Sequence, residues 1–263
     1  LLFFYPGLNS FKNSYLHFNS LVRKDIQIAY DNANSRIKIV GTYAEKRGKE
    51  SKGYYILNRK ISQLADIETI QTIEFNEELE YELLQGKKKK SNLFDDLWVK
   101  ELVHRQDGGV LILSEIQREF SRRNPYNNTY SRNSYDGYSR RGWVDYYNDD
   151  IIISNISPSG KEDWTKVLYK KQFSQDDEAV FSSFFTLKTP SSMRIIYNDE
   201  IKKNNTVSEY LMDPLGQLAR NSLMSTEYQN MKLRFKDAIQ ISSNSILVPS
   251  EKNYNLNLVK ITY

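Results

Sequence analysis

The 263-residue sequence contains no cysteine and only two histidines. The absence of cysteine excludes disulfides, thiolate zinc sites, iron–sulfur clusters and cysteine nucleophiles. His17 and His104 lie far apart in the chain and cannot form a His-x-x-x-His pair, and no Gly-x-Ser-x-Gly motif accompanies them. A histidine-based metal site or a serine hydrolase is therefore not expected, and we predict no metal and no other cofactor.

Alanine and long apolar runs are also scarce. Seven alanines stand against 19 tyrosines and 12 phenylalanines, a balance that favours strands, because aromatic and β-branched side chains fit a pleated surface. No run approaches the roughly 18 apolar residues that a membrane-spanning helix needs. The first residues, Leu1 to Phe4, contain neither a methionine nor a charged n-region, so we expect a processed or partial chain that lacks its natural N-terminus.

The sequence repeats a unit of four short strands joined by turns. The turns Ser157–Gly160 and Asp213–Gly216 share Pro at the second position and Gly at the fourth. Repeated four-stranded meanders are typical of propeller blades. We therefore predict an all-β, propeller-like fold of about four blades that forms the C-terminal part of a larger propeller; a β-sandwich or an irregular all-β domain is the alternative. The predicted divisions are an N-terminal segment 1–24, blade 1 at 25–86, blade 2 at 87–175, blade 3 at 176–229 and an incomplete blade 4 at 230–263.

The fourth repeat ends one strand short. Propellers commonly close their ring with a strand from the other terminus, which removes two open sheet edges. Residues near Phe11 to Phe18 could supply such a strand.

The order of these strands and turns resembles a group of β-propeller-like envelope proteins of Bacteroidota. The resemblance covers about Asp25 to Tyr263, and its motifs are structural signatures of strands and turns. It implies export to the periplasm or outer membrane and a scaffold or binding role, with no catalytic residues to carry over. The segments that support it are Ile37–Tyr43, Ser51–Leu57, Asp107–Glu115, Tyr146–Ile153, Gly160–Trp164, Phe181–Phe184 and Ile196–Asp199.

The most distinctive segment is an insertion in blade 2, residues 118–147. It contains six arginines against three acids, so 6 − 3 = +3 of the chain's +4 net charge lies there, interleaved with six tyrosines and Trp143. Aromatic faces and guanidinium groups together can stack on bases, sugars or peptide side chains. We predict a loop that binds a protein partner; the alternative is an extended hairpin whose aromatic side chains pack on its own scaffold and whose arginines are solvated. The candidate binding residues are Arg122, Arg123, Tyr126, Tyr130, Arg132, Tyr135, Tyr138, Arg140, Arg141 and Trp143.

The sequence thus favours a non-catalytic scaffold or accessory subunit that binds a protein in an outer-membrane or periplasmic assembly. A carbohydrate-active propeller enzyme, glycosidase or lyase, is the enzymatic alternative, because acidic residues could meet at a central channel. A nucleic-acid-binding role is a third, disfavoured by the near-neutral charge outside the insertion. The lysine run Lys87–Lys90 is most simply a solvated loop, with contact to anionic lipid heads as the alternative. Glycan binding also stays open.

Overall fold

The computed structural model describes residues 2–5, 10–13, 18, 21–47, 50–60, 70–85, 93–122, 143–199, 206–226, 231–252 and 255–263. The protein is all-β: the strands of the described residues pair in antiparallel sheets, with one α-helix among them. The chain divides into two compact units, the first made of Leu1–Ile116 and Asp150–Tyr169, the second of Gln117–Asp149 and Lys170–Tyr263. Within the described ranges, no helix is both long and apolar enough to cross a bilayer.

The first unit begins with a two-stranded hairpin, followed by a sheet in the order β3-β5-β6-β7, with β4 pairing to β5 beside β3. Helix α1 follows β7. The bounds are β1 Leu2–Tyr5, β2 Ser10–Asn13, β3 Val22–Arg23, β4 Gln27–Asp31, β5 Arg36–Ala44, β6 Gly53–Lys60, β7 Gln71–Glu74 and α1 Glu77–Leu84. Because β2 pairs with β1, part of the segment predicted to close a ring lies in this hairpin.

The next sheet has the order β11-β10-β9-β8, and β12 also pairs with β10. Its two central strands are long, and their outer parts, Gln117–Arg122 and Trp143–Asp149, belong to the second unit. The bounds are β8 Leu97–His104, β9 Val110–Arg122, β10 Trp143–Ile156, β11 Glu162–Leu168 and β12 Gln172–Gln175.

The second unit also holds a four-stranded sheet, β13-β14-β15-β16, and a three-stranded sheet, β17-β18-β19. A short 3-10 helix, Phe235–Asp237, precedes the three-stranded sheet. The bounds are β13 Phe184–Lys188, β14 Met193–Asn198, β15 Thr206–Met212, β16 Leu218–Ser225, β17 Ile239–Ser242, β18 Ser245–Lys252 and β19 Asn255–Thr262.

Each unit has its own apolar core. In the first unit, Val40, Ile56, Ile112 and Ile152 are among the fully buried side chains of the largest cluster. In the second, the cluster includes Leu187, Ile196, Val207, Phe235, Ile246 and Val248. The side chains alternate along each strand, so only one face of a strand contributes to a given core.

The two Pro/Gly turns form as the sequence predicts. The Gly160 N–H donates to Ser157 O at 3.0 Å, and the Gly216 N–H donates to Asp213 O at 3.0 Å. Gly160 and Gly216 have φ angles of 84° and 77°, a region that glycine enters without steric cost. Turn chemistry therefore fixes both connections locally.

Helix α1 is an element that the strand-based analysis does not predict. The Asn76 side chain accepts a hydrogen bond from the Leu79 N–H, and Glu77, Glu78 and Glu80 occupy the first turn, where the helix dipole favours negative charge. Leu79 and Leu83, four residues apart, are buried on one face. Local capping and a short apolar stripe outweigh the β-rich composition here.

Lys38 is buried in the first unit, although it lies in an alternating strand. Its Nζ is 3.0 Å from Asp31 Oδ2 and donates to Gly109 O at 2.7 Å, and the side chain is fully shielded from solvent. Burial of the Asp31 carboxyl raises its pKa, but hydrogen bonds from Lys38 and Asn34 outweigh that effect and leave this pKa below its ordinary value. The ion pair lies within the β4–β5 hairpin, and the Lys38–Gly109 hydrogen bond ties that hairpin to the turn before β9.

Candidate functional site

The predicted binding insertion begins and ends in strands. β9 continues through Arg122, and β10 begins at Trp143. The two ends of the insertion, for which we predicted a loop, are therefore paired strands. Side chains alternate between the two faces of each strand, so Phe120 and Tyr147 each share a face with the residues two positions before and after them. Of the candidate residues, Arg122 and Trp143 are described; Arg123, Tyr126, Tyr130, Arg132, Tyr135, Tyr138, Arg140 and Arg141 lie outside the described residues.

The described ends of the insertion place alternating side chains on one face of the second unit. β10 is flanked by β9 and β12, with Asp145 opposite Gln175 and Tyr147 opposite Phe173. Arginine–carboxylate and ring contacts connect the same face of β10 to β9. We call this surface the hairpin face; it consists of Arg118, Phe120, Arg122, Asp145, Tyr147, Asp149, Phe173 and Gln175.

An aromatic row crosses the middle of the hairpin face. The ring centroids of Phe120 and Tyr147 are 5.7 Å apart with an edge-to-face geometry, and those of Tyr147 and Phe173 are 5.0 Å apart. Phe120 remains 52% exposed, while Tyr147 and Phe173 are partly buried. Each strand therefore contributes one ring to a continuous apolar strip that solvent reaches.

An ion pair flanks this row on each side. On one side Arg122 Nε is 2.5 Å from Asp145 Oδ2, and on the other Arg118 pairs with Asp149. The Gln175 amide donates to Asp145 Oδ1 at 2.8 Å. This hydrogen bond extends the Arg122–Asp145 pair across three strands, β9, β10 and β12. Asp145 is 1% exposed, whereas the Arg122 side chain is 57% exposed. The carboxylates thus lie deeper in the protein, and the guanidinium groups lie at the surface.

Buried polar contacts hold the opposite face of these strands. Gln172 Oε1 accepts hydrogen bonds from Lys170 Nζ and from the Ser183 N–H, each at 2.8 Å, and Gln172 Nε2 donates to Asn198 O at 2.7 Å. Lys170 Nζ also donates to Asn148 O at 2.9 Å. Because these groups are shielded from water, their bonds fix the strands in place more firmly than exposed contacts would.

The turn after β12 holds the start of β10. The Asp176 N–H donates to Val144 O at 3.0 Å, and the Val144 N–H donates to the Asp176 carboxylate at 2.8 Å. Trp143 lies on the same face of β10 as Asp145 and Tyr147 and is partly exposed at this end of the strand. The hairpin face is therefore a rigid platform next to the insertion's tyrosines and arginines in sequence.

Most of the hairpin face was not predicted from the sequence. Of its residues only Arg122 was a predicted binding residue, and the aromatic row of Phe120, Tyr147 and Phe173 was not predicted. The spacing Arg118-x-Phe120-x-Arg122, facing Asp145-x-Tyr147-x-Asp149, was the available signal, because opposite charges and aromatics pair across neighbouring strands.

The sequence contains three short acidic runs, Asp149–Asp150, Asp176–Glu178 and Asp199–Glu200, and at least one acid of each has a protein partner. Asp149 pairs with Arg118, Asp176 bonds the Val144 backbone, and Asp199 accepts from Arg220 and Ser208. Among the described residues, no three His, Asp or Glu side chains are arranged to hold a metal ion. Arg220 also lies 5.8 Å from the Tyr210 ring centroid. These contacts stabilise strands and loops.

A raised carboxyl pKa occurs at Glu162 in β11. Burial raises this pKa, against the opposing hydrogen bond with Thr165. A glycosidase needs two carboxyl groups held about 5–10 Å apart. The raised pKa of Glu162 by itself does not make such a pair.

No family model matches the chain, and no curated protein matches it. Among solved structures, the chain is similar to a GH43 beta-1,3-galactosidase at 6% sequence identity and a TM-score of 0.26. The match covers 89% of this chain and 55% of that chain, so this chain spans little more than half the length of that enzyme. A likeness at this level decides neither the fold family nor the activity.

Proposed function

We propose that this protein is a non-catalytic, propeller-type binding module whose hairpin face docks a protein partner. The proposal rests on one observation: the partly exposed row of Phe120, Tyr147 and Phe173 lies between two arginine–aspartate pairs. Arginine and aromatic residues are enriched among the residues that dominate interface affinity. A platform already held by buried bonds loses little conformational entropy on binding.

The charge of the hairpin face favours a protein over a nucleic acid. Asp149 and Asp145 neutralise Arg118 and Arg122, the two arginines of the insertion that the structure describes. Nucleic-acid affinity depends on cations that neutralise phosphates and release counterions. A mixed surface of paired charges and aromatics instead suits the polar and apolar groups of a protein surface.

We place this module in a bacterial cell-envelope assembly, at the periplasm or outer membrane, as a scaffold or accessory subunit. The resemblance of the strand and turn motifs to envelope proteins of Bacteroidota supports this location. An arrangement of about four blades, as the C-terminal part of a larger propeller, belongs to the same proposal, and the succession of antiparallel sheets supports it.

Affinity capture from solubilised envelope membranes tests the function. The full chain serves as bait, and the variant Phe120→Ala removes the exposed ring of the aromatic row. Tyr81→Ala is the matched control, because Tyr81 is an aromatic side chain of α1 that is 71% exposed and lies in the first unit. We expect a stoichiometric partner that Tyr81→Ala retains and Phe120→Ala loses by at least tenfold.

The opposing results are equally distinct. A partner retained equally by both variants would remove the hairpin face from the proposal. Hydrolysis or eliminative cleavage in a polysaccharide panel would replace the binding function with the enzymatic alternative. Binding that requires nucleic acid and weakens steeply as the salt concentration rises would favour the nucleic-acid-binding role.

A further inference from the structure

Strand β19 is a long edge strand of the three-stranded sheet. Its pairing with β18 runs from Asn255 to Thr262 without a register shift, and no other described strand pairs with it. It contains no proline and carries one charged side chain, Lys260. Proteins usually blunt open edges with bulges, prolines, several charges or short strands, because a regular edge can pair with another chain.

Other edges in the second unit are blunted in these ways. β17 is four residues long and bulged between Gln240 and Ser242. Its Gln240 side chain exchanges hydrogen bonds with the Lys188 backbone, donating to Lys188 O at 2.7 Å and accepting from the Lys188 N–H at 3.1 Å. β16 has a register shift where it pairs with β15. β19 is therefore twice as long as β17 and, unlike both strands, pairs without a register shift.

The backbone groups of every second residue of β19 point away from β18. On β18, Pro249 has no N–H and its O accepts from the Arg234 N–H at 2.8 Å, while the Glu251 N–H donates to Lys232 O at 3.0 Å. These groups of β18 thus face away from β19. Since directly opposite residues of an antiparallel pair bond each other mutually or not at all, their partners on β19, Leu258 and Leu256, direct their own N–H and C=O groups to the open edge.

The side chains at this edge form an apolar strip. Leu256 and Leu258 are 65% and 64% exposed, and both lie on the outer face of the sheet with Lys260. Pro249 and Glu251 of β18 lie beside them on that face. Exposed leucines on a regular edge combine apolar area with unsatisfied main-chain groups, which is the requirement for adding a strand.

We propose that two copies of this chain pair through β19, antiparallel, about a two-fold axis at Leu258. In this register Leu258 faces its own copy, with Pro249 behind it on each side. Leu256 faces Lys260 of the second copy, and Glu251, whose carboxylate also pairs with Arg234 at 2.6 Å, lies next to Leu256 in the same row. That lysine therefore has a carboxylate nearby and not another lysine. The three outward-facing residues then form about six backbone hydrogen bonds.

The self-complementary charge and the two-fold symmetry are the reasons to choose a second copy over another partner. A closed two-fold contact uses the same strand on both molecules, so neither β19 edge stays open. It joins two three-stranded sheets into one of six strands. This association uses a different surface from the hairpin face and does not depend on the proposed function.

Cysteine cross-linking of the full chain tests the register, because the natural sequence has no cysteine. Directly opposite residues in a hydrogen-bonded pair have Cα atoms about 5.5 Å apart, within disulfide range. We expect Leu258→Cys to form a covalent dimer under mild oxidation. Leu256→Cys is the matched control, equally exposed but four register positions from its own copy, and we expect at least tenfold slower cross-linking.

Sedimentation equilibrium of the full chain tests the association itself. We expect a concentration-dependent dimer that Leu258→Lys converts to a monomer, because the substitution sets two lysines directly opposite each other. Leu215→Lys, at a turn where the leucine is 80% exposed, should leave the dimer unchanged. A wild-type monomer at all concentrations, equal cross-linking of the two cysteine variants, or a dimer insensitive to Leu258→Lys would each overturn the proposal.

Discussion

Arg122 and Asp145 pair at 2.5 Å between Nε and Oδ2, although 22 residues separate them in the sequence. The pair lies across the base of the Arg/Tyr-rich insertion, where β9 ends and β10 begins. It therefore connects the most unusual segment of the sequence to a defined position on the second unit.

The contribution of the Arg122–Asp145 interaction to the free energy of unfolding can be separated from the contributions of the two side chains. We predict that Arg122→Ala and Asp145→Asn each lower the free energy of unfolding, and that a double-mutant cycle gives a coupling of about 1 kcal/mol, because Arg122 is half exposed and solvent screens the pair. Urea denaturation of the four proteins measures it. Strictly additive effects would mean that the pair contributes nothing to stability.

The buried Lys38–Asp31 pair should behave differently. Lys38→Met leaves the Asp31 carboxylate shielded from water without its ammonium partner, and we expect a loss of about 3–5 kcal/mol. The double variant Lys38→Met/Asp31→Asn should lose less than Lys38→Met alone, because no uncompensated charge remains. Denaturant unfolding decides between these outcomes; a double variant less stable than Lys38→Met would contradict this account.

The same pair makes the first unit sensitive to acid. The pKa of Asp31 is lower in the folded protein than its ordinary value. Its contribution to stability is therefore fully present above the unfolded-state value of about 4 and is lost as the pH falls through the folded-state pKa. We expect Asp31→Asn to flatten the stability profile below about pH 4. Thermal unfolding from pH 2 to 7 measures this; an unchanged acid slope would show that other carboxyls dominate.

Helix α1 depends on its N-cap residue, Asn76. Removing the Asn76 side chain leaves the Leu79 N–H without its 2.8 Å bond, and we expect Asn76→Ala to cost about 1 kcal/mol of stability. Asn76→Asp is the control, since an aspartate caps the same group and should remain within a few tenths of a kcal/mol of the natural protein. Equal losses in the two variants would indicate that packing of the loop, and not capping, is affected.

Several features were predictable because their causes are local. The turns at Gly160 and Gly216 follow from proline and glycine at fixed positions, which set φ without reference to the rest of the chain. The strand content follows from aromatic and β-branched composition. Helix α1 also has a local cause, the Asn76 cap and the Leu79/Leu83 spacing, but eight residues of pattern are easily masked in a β-rich sequence.

The burial of Lys38 could not be predicted from the sequence. An alternating strand with a lysine between Ile37 and Ile39 indicates a solvent-facing position, yet Asp31 and the Gly109 carbonyl make burial possible. Gly109 is 71 residues away, so no local pattern contains it. The hairpin face has the same origin, because Phe173 joins Phe120 and Tyr147 only through the pairing of β12 with β10.

The sequence by itself determined the antiparallel all-β class, the positions of the tight turns and the concentration of arginine and tyrosine in one segment. These depend on backbone preferences and side-chain chemistry within a few residues. Tertiary structure alone decided which arginines are neutralised, which aromatics form a row, which lysine is buried and which strand edge stays open. Those outcomes depend on strand partners distant in sequence, whose free energies of pairing and desolvation exist only once the sheets have assembled.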